Sequence, residues 1–234
     1  MAAVTPLLET IGLARSFGGL KAVRGVDFRL EKGEVRAVIG SNGAGKTTFV
    51  SLISGRIPPS AGRVLFEGED VTALPAFARV RRGIAYTFQI TSIYANLSAE
   101  ENVALAAHRP GQGGNIEHLA RVGLAERAGQ IAGTLSYGHQ RLLEVAMGLA
   151  LKPKLLILDE PTQGLSDAEI EGFIRLVREV AKDATVLLIE HNMPVVMELA
   201  HRITVLDRGG ILAEGSPAEI RANDAVQSAY LGSG

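Results

Sequence analysis

The sequence predicts an α/β domain built on a mainly parallel sheet, with a small helical insertion. Three observations carry this. The runs LLILD (155–159), TVLLIE (185–190) and ITVLD (203–207) are almost wholly apolar, as strands buried on both faces of a parallel sheet require. A glycine-rich loop, GSNGAGKTT (40–48), stands between a β-branched run and a helical one. From Gln89 to Thr134 the buried-strand character gives way to helical patterns and the loose stretch HRPGQGGN (108–115).

Taken in order, the N-terminal stretch MAAVTPLLETIGLARSFGG has no basic start before an apolar core, and Glu9 and Arg15 interrupt it, so it does not read as an export signal. EVRAVIG (34–40) is a short strand leading straight into the glycine loop. KTTFVSLISG (46–55) follows as a helix closed by Gly55. GRVLFEG (62–68) and GIAYTF (83–88) read as strands. Capping-box spacing places helix starts at Ser98 with Glu101, at Ser166 with Glu169, and at Ser216 with Pro217 and Glu219. In LSYGHQR (135–141) a serine precedes apolar residues at Leu142, Leu143, Ala146, Leu149 and Ala150. That spacing predicts a helix with Ser136 at its N-cap, whose free N–H groups favour an anion. One chain thus offers two phosphate-friendly helix starts and a single lysine loop. Either the second is structural, or it serves a nucleotide bound by another subunit.

Composition narrows the classes. A chain of 234 residues can bury a large core and suits one α/β domain with a subdomain. Its net charge is -1 with no long block of one sign, which argues against a nucleic-acid partner. The absence of cysteine excludes disulfide and thiolate chemistry and suits a reducing compartment. No apolar run approaches the length of a membrane span, so a cytoplasmic protein is expected.

The candidate chemistry begins at Gly40. Gly40, Gly45, Lys46 and Thr47 meet the pattern G-x-x-x-x-G-K-[ST]. The glycines let backbone N–H groups close around phosphates, Lys46 reaches the β and γ oxygens, and the Thr47 hydroxyl can ligate Mg²⁺. An exposed lysine on a glycine turn is the plain alternative, but the strand before and helix after favour phosphate binding. Asp159 and Glu160 close the strand LLILDE, at the sheet edge where open α/β folds bind ligands. Asp159 can hold Mg²⁺ through water, and Glu160 can orient and deprotonate an attacking water. Acidic residues also end many ordinary strands; Lys46 tips the reading toward function. Gln89 and His191 each end a strand of the same inferred sheet, a placement that lets both face the γ-phosphate and its water. Phe17 is either a base-stacking ring or a core aromatic.

The lysine loop, Gln89, LSYGHQR, LLILDE, QGLSD (163–167) and His191, in this order, resemble the ATP-binding cassette (ABC) ATPases, and the resemblance covers essentially the whole chain. It implies a P-loop NTPase core (1–88 and 135–234) with a mainly parallel sheet, N-terminal antiparallel strands and an inserted helical subdomain over about 89–134. It implies ATP and Mg²⁺ as the bound groups. Ser41, Asn42, Gly43, Ala44, Gly45, Lys46, Thr47 and Thr48 would hold the nucleotide, and Phe17 would stack on adenine. Thr47, Gln89 and Asp159 would hold the metal. Glu160 would be the general base, His191 would contact the γ-phosphate, and Gln89 would couple the metal to the transporter. Two cassettes would pack head to tail, so that Ser136 and Gly138 complete a site on the partner subunit.

Three positions depart from the family's pattern: Tyr137 replaces a glycine, His139 a glutamine and Ser166 an aspartate. The forms LSYG and IEHNM (189–193), with the ending ILAEGSPAEIRAN…AYLG, look most like cassettes of branched-chain amino acid importers. The resemblance therefore implies an ATPase subunit at the cytoplasmic face of the inner (plasma) membrane. Its partners would be permease subunits, a second ATP-binding subunit (identical or a sister chain) and, indirectly, a solute-binding protein. The ATPase of a lipid or lipopolysaccharide exporter is the alternative. A chromosome-organising ATPase would need a long coiled coil between the lysine loop and the signature, and none is present. In ITSIYANLSAEE (90–101), the apolar side chains Ile90, Ile93, Tyr94 and Leu97 are expected either to meet the permease or to seal the inserted subdomain against the core.

Overall fold

Two sheets share the chain, which a computed structural model describes over residues 5–87, 92–107 and 115–231. The first is antiparallel and N-terminal, with strands β1 (Leu8–Phe17), β2 (Leu20–Leu30), β4 (Ala61–Phe66) and β5 (Glu69–Asp70) in the order β2-β1-β4-β5. The second comprises β3 (Val35–Ile39), β6 (Ile84–Tyr86), β7 (Leu155–Asp159), β8 (Thr185–Ile189), β9 (Arg202–Asp207) and β10 (Gly210–Gly215). Its order is β10-β9-β3-β8-β7-β6, parallel throughout except for the β10 edge. Every residue of β7 and β8 is buried, as their apolar runs required; β3 is equally buried although it carries Arg36, and β9 is buried except at its end residues Arg202 and Asp207.

Among the described residues the helices are α1 (Lys46–Ile53), α2 (Ala76–Arg81), α3 (Ala99–Ala106), α4 (Asn115–Arg121), α5 (Tyr137–Ala150), α6 (Asp167–Val180), α7 (Met193–Leu199), α8 (Pro217–Arg221) and the single turn α9 (Asp224–Val226). The predicted caps are present. Glu101, Glu169 and Glu219 each accept the backbone N–H of the serine three residues earlier at 2.7 Å, and Ser136 Oγ accepts the His139 N–H at 3.2 Å. One apolar cluster joins α1 to the inner faces of both sheets through Phe28, Phe49, Val50 and Ile157. The opposite face of the parallel sheet packs on α5 and α6, and that cluster continues into the inserted helices through Val103, Leu119 and Leu135.

The sequence reading did not foresee α2 or β10. Both are short, and α2 has no apolar stripe. Its purpose is local: it delivers Arg79 into the interior, where the side chain is 1% exposed. The guanidinium donates to the carbonyls of Leu52 (2.8 Å), Ile53 (2.6 Å), Thr72 (2.9 Å) and Leu74 (3.0 Å), two of which close the C-terminal turn of α1. Burial lowers its pKa to about 10, which still leaves it a cation at neutral pH. The negative end of a helix and a fixed cation suit each other. Arg79→Leu leaves these carbonyls buried without donors and is expected to lower the unfolding free energy by about 3 kcal/mol. A shift of the urea midpoint corresponding to less than about 0.5 kcal/mol would show that the carbonyls find other partners.

Candidate active site

Because β3, β7, β8 and β9 run parallel, their carboxyl ends open on one edge of the sheet. The loop after β3 turns there into α1. Gly45, the N-cap of α1, has φ 100°, and a Cβ on it would meet the Ala22 carbonyl oxygen at 2.4 Å. At Gly40 an added Cβ would lie 2.3 Å from the Leu206 carbonyl oxygen. Only glycine allows β2 and β9 to press this close to the loop. The N-terminus of α1 has no side-chain cap and no acidic residue in its first turn, so its N–H groups and dipole face outward for an anion.

The loop forms the floor of a cleft of about 810 Å³. Asn42, Gly43, Ala44, Gly45, Lys46, Thr47 and Thr48 line it, together with Phe17 and Glu160. Phe17 is 45% exposed, with the Arg15 guanidinium 4.7 Å from its ring centroid, so it is a surface ring and not a core aromatic. Ser41 contributes through its carbonyl. The ammonium of Lys46 donates to the carbonyl oxygens of Gly40 at 2.6 Å and Ser41 at 3.1 Å. Burial lowers the Lys46 pKa, and the carboxylates of Glu160 and Asp159 work against that shift by favouring the charged form.

Asp159 is buried at the end of β7. Its Oδ2 accepts the Tyr86 hydroxyl at 2.7 Å, whereas Oδ1 has no hydrogen-bond partner among the described residues. Burial raises the Asp159 pKa, the Tyr86 hydrogen bond opposes this, and the neighbouring charge of Glu160 adds to the rise. A cation beside Oδ1 would relieve both the desolvation and the like-charge repulsion. Among the described residues no group of three His, Cys, Asp or Glu could hold a metal ion. Mg²⁺ takes one or two protein oxygens and fills its remaining positions with phosphate and water, a role that the unpartnered Oδ1 of Asp159 suits.

Glu160 lies in the left-handed region at φ 50°, an unfavourable conformation for a residue with a side chain. The strain aims its carboxylate into the cleft, 4.0 Å from Nδ1 of His191. Glu190, wholly buried, brings a carboxylate oxygen to 3.9 Å from the same Nδ1. One of its oxygens accepts the Thr162 N–H at 3.0 Å and the Thr162 hydroxyl. The other accepts the N–H groups of His191 at 2.8 Å and Asn192 at 3.0 Å. It therefore clamps the segment after Glu160 to the segment carrying His191.

The expected residues do not all meet in one place. Gln89 and Ile90 lie outside the described residues. Ser136 and Gly138 do not line the cleft that holds Lys46 of the same chain. Gly138 is pressed instead against Gly164, whose carbonyl oxygen would be 2.9 Å from an added Cβ. Sequence reasoning also missed several residues. Lys21, Arg24 and Arg208 line the cleft and add positive charge where phosphates would lie. Tyr86 gave no signal beyond its place in a strand. Glu190 did: it is an acid closing an apolar strand, the same pattern that drew attention to Asp159 and Glu160.

A second, mostly apolar groove of about 240 Å³ lies between the core and the inserted helices, lined by Ala76, Val80, Ile84, Ala106 and Met147, with Ser92 and Glu144. Exposed Phe77 and Leu105 adjoin two of these in sequence, and exposed Tyr94 follows Ser92 by two positions. Of the two readings for Ile93, sealing against the core is the one seen: the side chain packs, partly buried, on the core cluster.

Comparison with known proteins agrees with this geometry. The family profile described as ABC transporter matches residues 23–163, and that of the branched-chain amino acid ATP-binding cassette transporter matches residues 211–234. The chain is 38% identical to the high-affinity branched-chain amino acid transport ATP-binding protein BraF of Pseudomonas aeruginosa, across 97% of this chain and 98% of that protein. It is 36% identical to the corresponding LivG of Escherichia coli K12 over the same shares. A crystal structure of a nucleotide-free ATP-binding cassette from an ABC transporter superposes with a TM-score of 0.88 at 27% identity, covering 96% of this chain and 98% of that one. The ADP conformation of MJ1267, an ATP-binding cassette of an ABC transporter, gives 0.87 at 28% identity, covering 97% and 99%. No helix among the described residues is long and apolar enough to cross a membrane. Lysine loop, strained carboxylate, sheet edge and relatives agree: the chain belongs to the ABC transporter family, as an ATPase subunit that couples ATP hydrolysis to transport.

Proposed function

We propose that this chain powers the import of branched-chain or other hydrophobic amino acids, working with permease subunits and a solute-binding protein at the cytoplasmic face of the inner membrane. The observation that carries this reading is the 38% identity to BraF over 97% of the chain, and the match of residues 211–234 to the branched-chain cassette profile supports it. The whole chain acts as one ATP-binding domain, with core 1–88 and 135–234 and an insertion over about 89–134. In proteoliposomes holding the assembled transporter, leucine-loaded binding protein is expected to raise ATP turnover and drive leucine uptake. Stimulation by a lipid or lipopolysaccharide in place of leucine would reassign the substrate.

In the proposed site, backbone N–H groups of 41–48 and the ammonium of Lys46 bind the phosphates, Phe17 stacks on the adenine, and Lys21, Arg24 and Arg208 add positive charge along the cleft. Thr47 and Asp159 would hold Mg²⁺, with Gln89 as the further ligand the sequence suggests. When bound, the ion neutralises charge on the phosphate oxygens. Glu160 accepts the proton of the attacking water as its oxygen bonds to the γ-phosphorus, and ADP departs with the electrons of the broken P–O bond. His191 faces the same phosphoryl group, held by the Glu190 clamp. Glu160→Gln keeps the shape but cannot take the proton. It is expected to bind ATP normally, to turn over at least about a hundredfold more slowly and to accumulate the ATP-bound state. Lys46→Ala is expected to weaken ATP binding itself, because the phosphates lose their nearest cation. Nucleotide titration and single-turnover assays separate the two; wild-type turnover in Glu160→Gln would remove that residue from the mechanism.

Two copies would pack head to tail, with Ser136 and Gly138 of each completing the partner's site. The absence of both residues from the lining of their own chain's cleft supports this. The decisive mixture joins one subunit carrying Lys46→Ala to another carrying Ser136→Arg. Each homodimer is defective at both sites, whereas the mixed dimer has one whole site and one doubly damaged. ATP occlusion is expected to return in the mixture alone. If the mixed dimer occludes no more than either mutant, under conditions where the wild type does, the signature acts within its own chain.

The permease is proposed to seat in the groove beside α2 and α3, where Phe77, Tyr94 and Leu105 offer exposed apolar surface. A membrane-embedded partner must reach this subunit by some docking segment, and the groove is apolar over most of its lining.

A further inference from the structure

The two unusual signature residues have partners in the segment 163–169 of their own chain. The ring of Tyr137 lies over Gly164, where an added Cβ would be 2.5 Å from a ring carbon, and its hydroxyl is 3.5 Å from Oε1 of Gln163. His139 Nε2 lies 3.3 Å from the Glu169 carboxylate that also caps Ser166. From Tyr137 the contacts continue inward. Its hydroxyl accepts from Arg141 Nη2 at 3.1 Å, and Arg141 Nη1 donates to Glu144 Oε2 at 3.3 Å. The other oxygen of Glu144 accepts the Ser92 N–H at 2.5 Å. Ser92 and Glu144 both line the apolar groove.

Tyr137, Arg141 and Glu144 stand at helical spacing on one face of α5, so these contacts form a line along a rigid element. The side chains of Arg141 and Glu144 are 2% and 4% exposed. An ion pair this deep gains little net stability, because desolvation offsets its attraction. What it provides is direction: each charge-assisted contact fixes the orientation of the next.

We propose that the Tyr137–Arg141–Glu144 line is a relay by which a permease segment seated in the groove sets the presentation of Ser136 and Gly138. Pressure on Ser92 moves Glu144, Arg141 follows, and Tyr137 shifts against Gly164. Glu144 does not line the cleft that holds Lys46, and is thus a positioning residue that acts through Arg141. The proposal rests on the reading of the groove as the permease seat.

The test uses the transporter assembled with its permease subunits in lipid nanodiscs. Glu144→Gln keeps the shape of the side chain and removes its charge. The isolated variant is expected to hydrolyse ATP within about twofold of wild type and still to co-purify with the permease. In the assembly, stimulation of ATP turnover by solute-loaded binding protein is expected to fall at least about fivefold. Tyr137→Phe deletes one hydroxyl at a half-exposed position and tests the relay even if Glu144→Gln folds poorly; it is expected to show the same loss. The double variant is expected to be no worse than either single, since both interrupt one line. Wild-type stimulation in either variant, or additive losses in the double, overturns the relay. So does loss of co-purification in Glu144→Gln, which would make Glu144 a docking contact. The seat itself is read separately: if a chain carrying Phe77→Glu and Tyr94→Glu still co-purifies with the permease, the docking reading fails and the relay with it.

Discussion

The pairing of β8 between β3 and β7 is the constraint on which the rest of this molecule depends. These three strands come from distant parts of the chain, and their parallel ladders hold Val38, Ile189 and Asp159 level across the sheet. Because the strands are parallel, whatever follows each of them emerges on the same edge. The glycine loop, the Asp159–Glu160 pair and the Glu190–His191 pair are thereby neighbours. Burial of all three strands on both faces makes this arrangement costly to change, since any slip in register would move wholly apolar residues out of the core.

On that platform the site is held by buried polar groups that each have a defined task. Glu190 ties the Thr162 segment to His191 through four donors, which fixes two loops relative to one another without any contribution from the outer surface. Tyr86 occupies one oxygen of Asp159 and leaves the other free of partners among the described residues. Arg79 anchors the far end of the helix whose near end faces the phosphates. The ammonium of Lys46 is held by carbonyl groups of its own loop, so ordering of that side chain precedes any ligand. Pre-ordering of this kind is how a site gains electrostatic strength without reorganising during the reaction.

The departures from the family's signature acquire a physical sense once the neighbours are known. Tyr137 requires a glycine under its ring, and Gly164, with φ 81°, is there. His139 and Ser166 share one carboxylate, that of Glu169. The signature and the segment after Glu160 are therefore packed as a unit within one chain. The same helix start leads, through Arg141 and Glu144, to the groove between the core and the inserted helices.

Features that depend on a few consecutive residues were legible along the chain. Unbroken apolar runs announced the buried strands, serine–glutamate spacing announced three helix starts, and the lysine loop announced a phosphate site, because each is set by local geometry and burial. The short β10 and α2 escaped notice, since six residues carry too little periodicity and the role of α2 is to place one arginine against a distant helix end. For Ile93 the loop setting left docking surface and core seal equally open, and the fold packs it, partly buried, on the core. Arg208 joined the cleft only because β9 pairs with β3, and Tyr86 met Asp159 only because β6 pairs with β7. The order of strands in a sheet is a sum of long-range contacts, none of which leaves a mark on the residues immediately beside it. For that reason the chemistry of this site could be recognised from its motifs, while the groups that orient and charge it came into view with the fold.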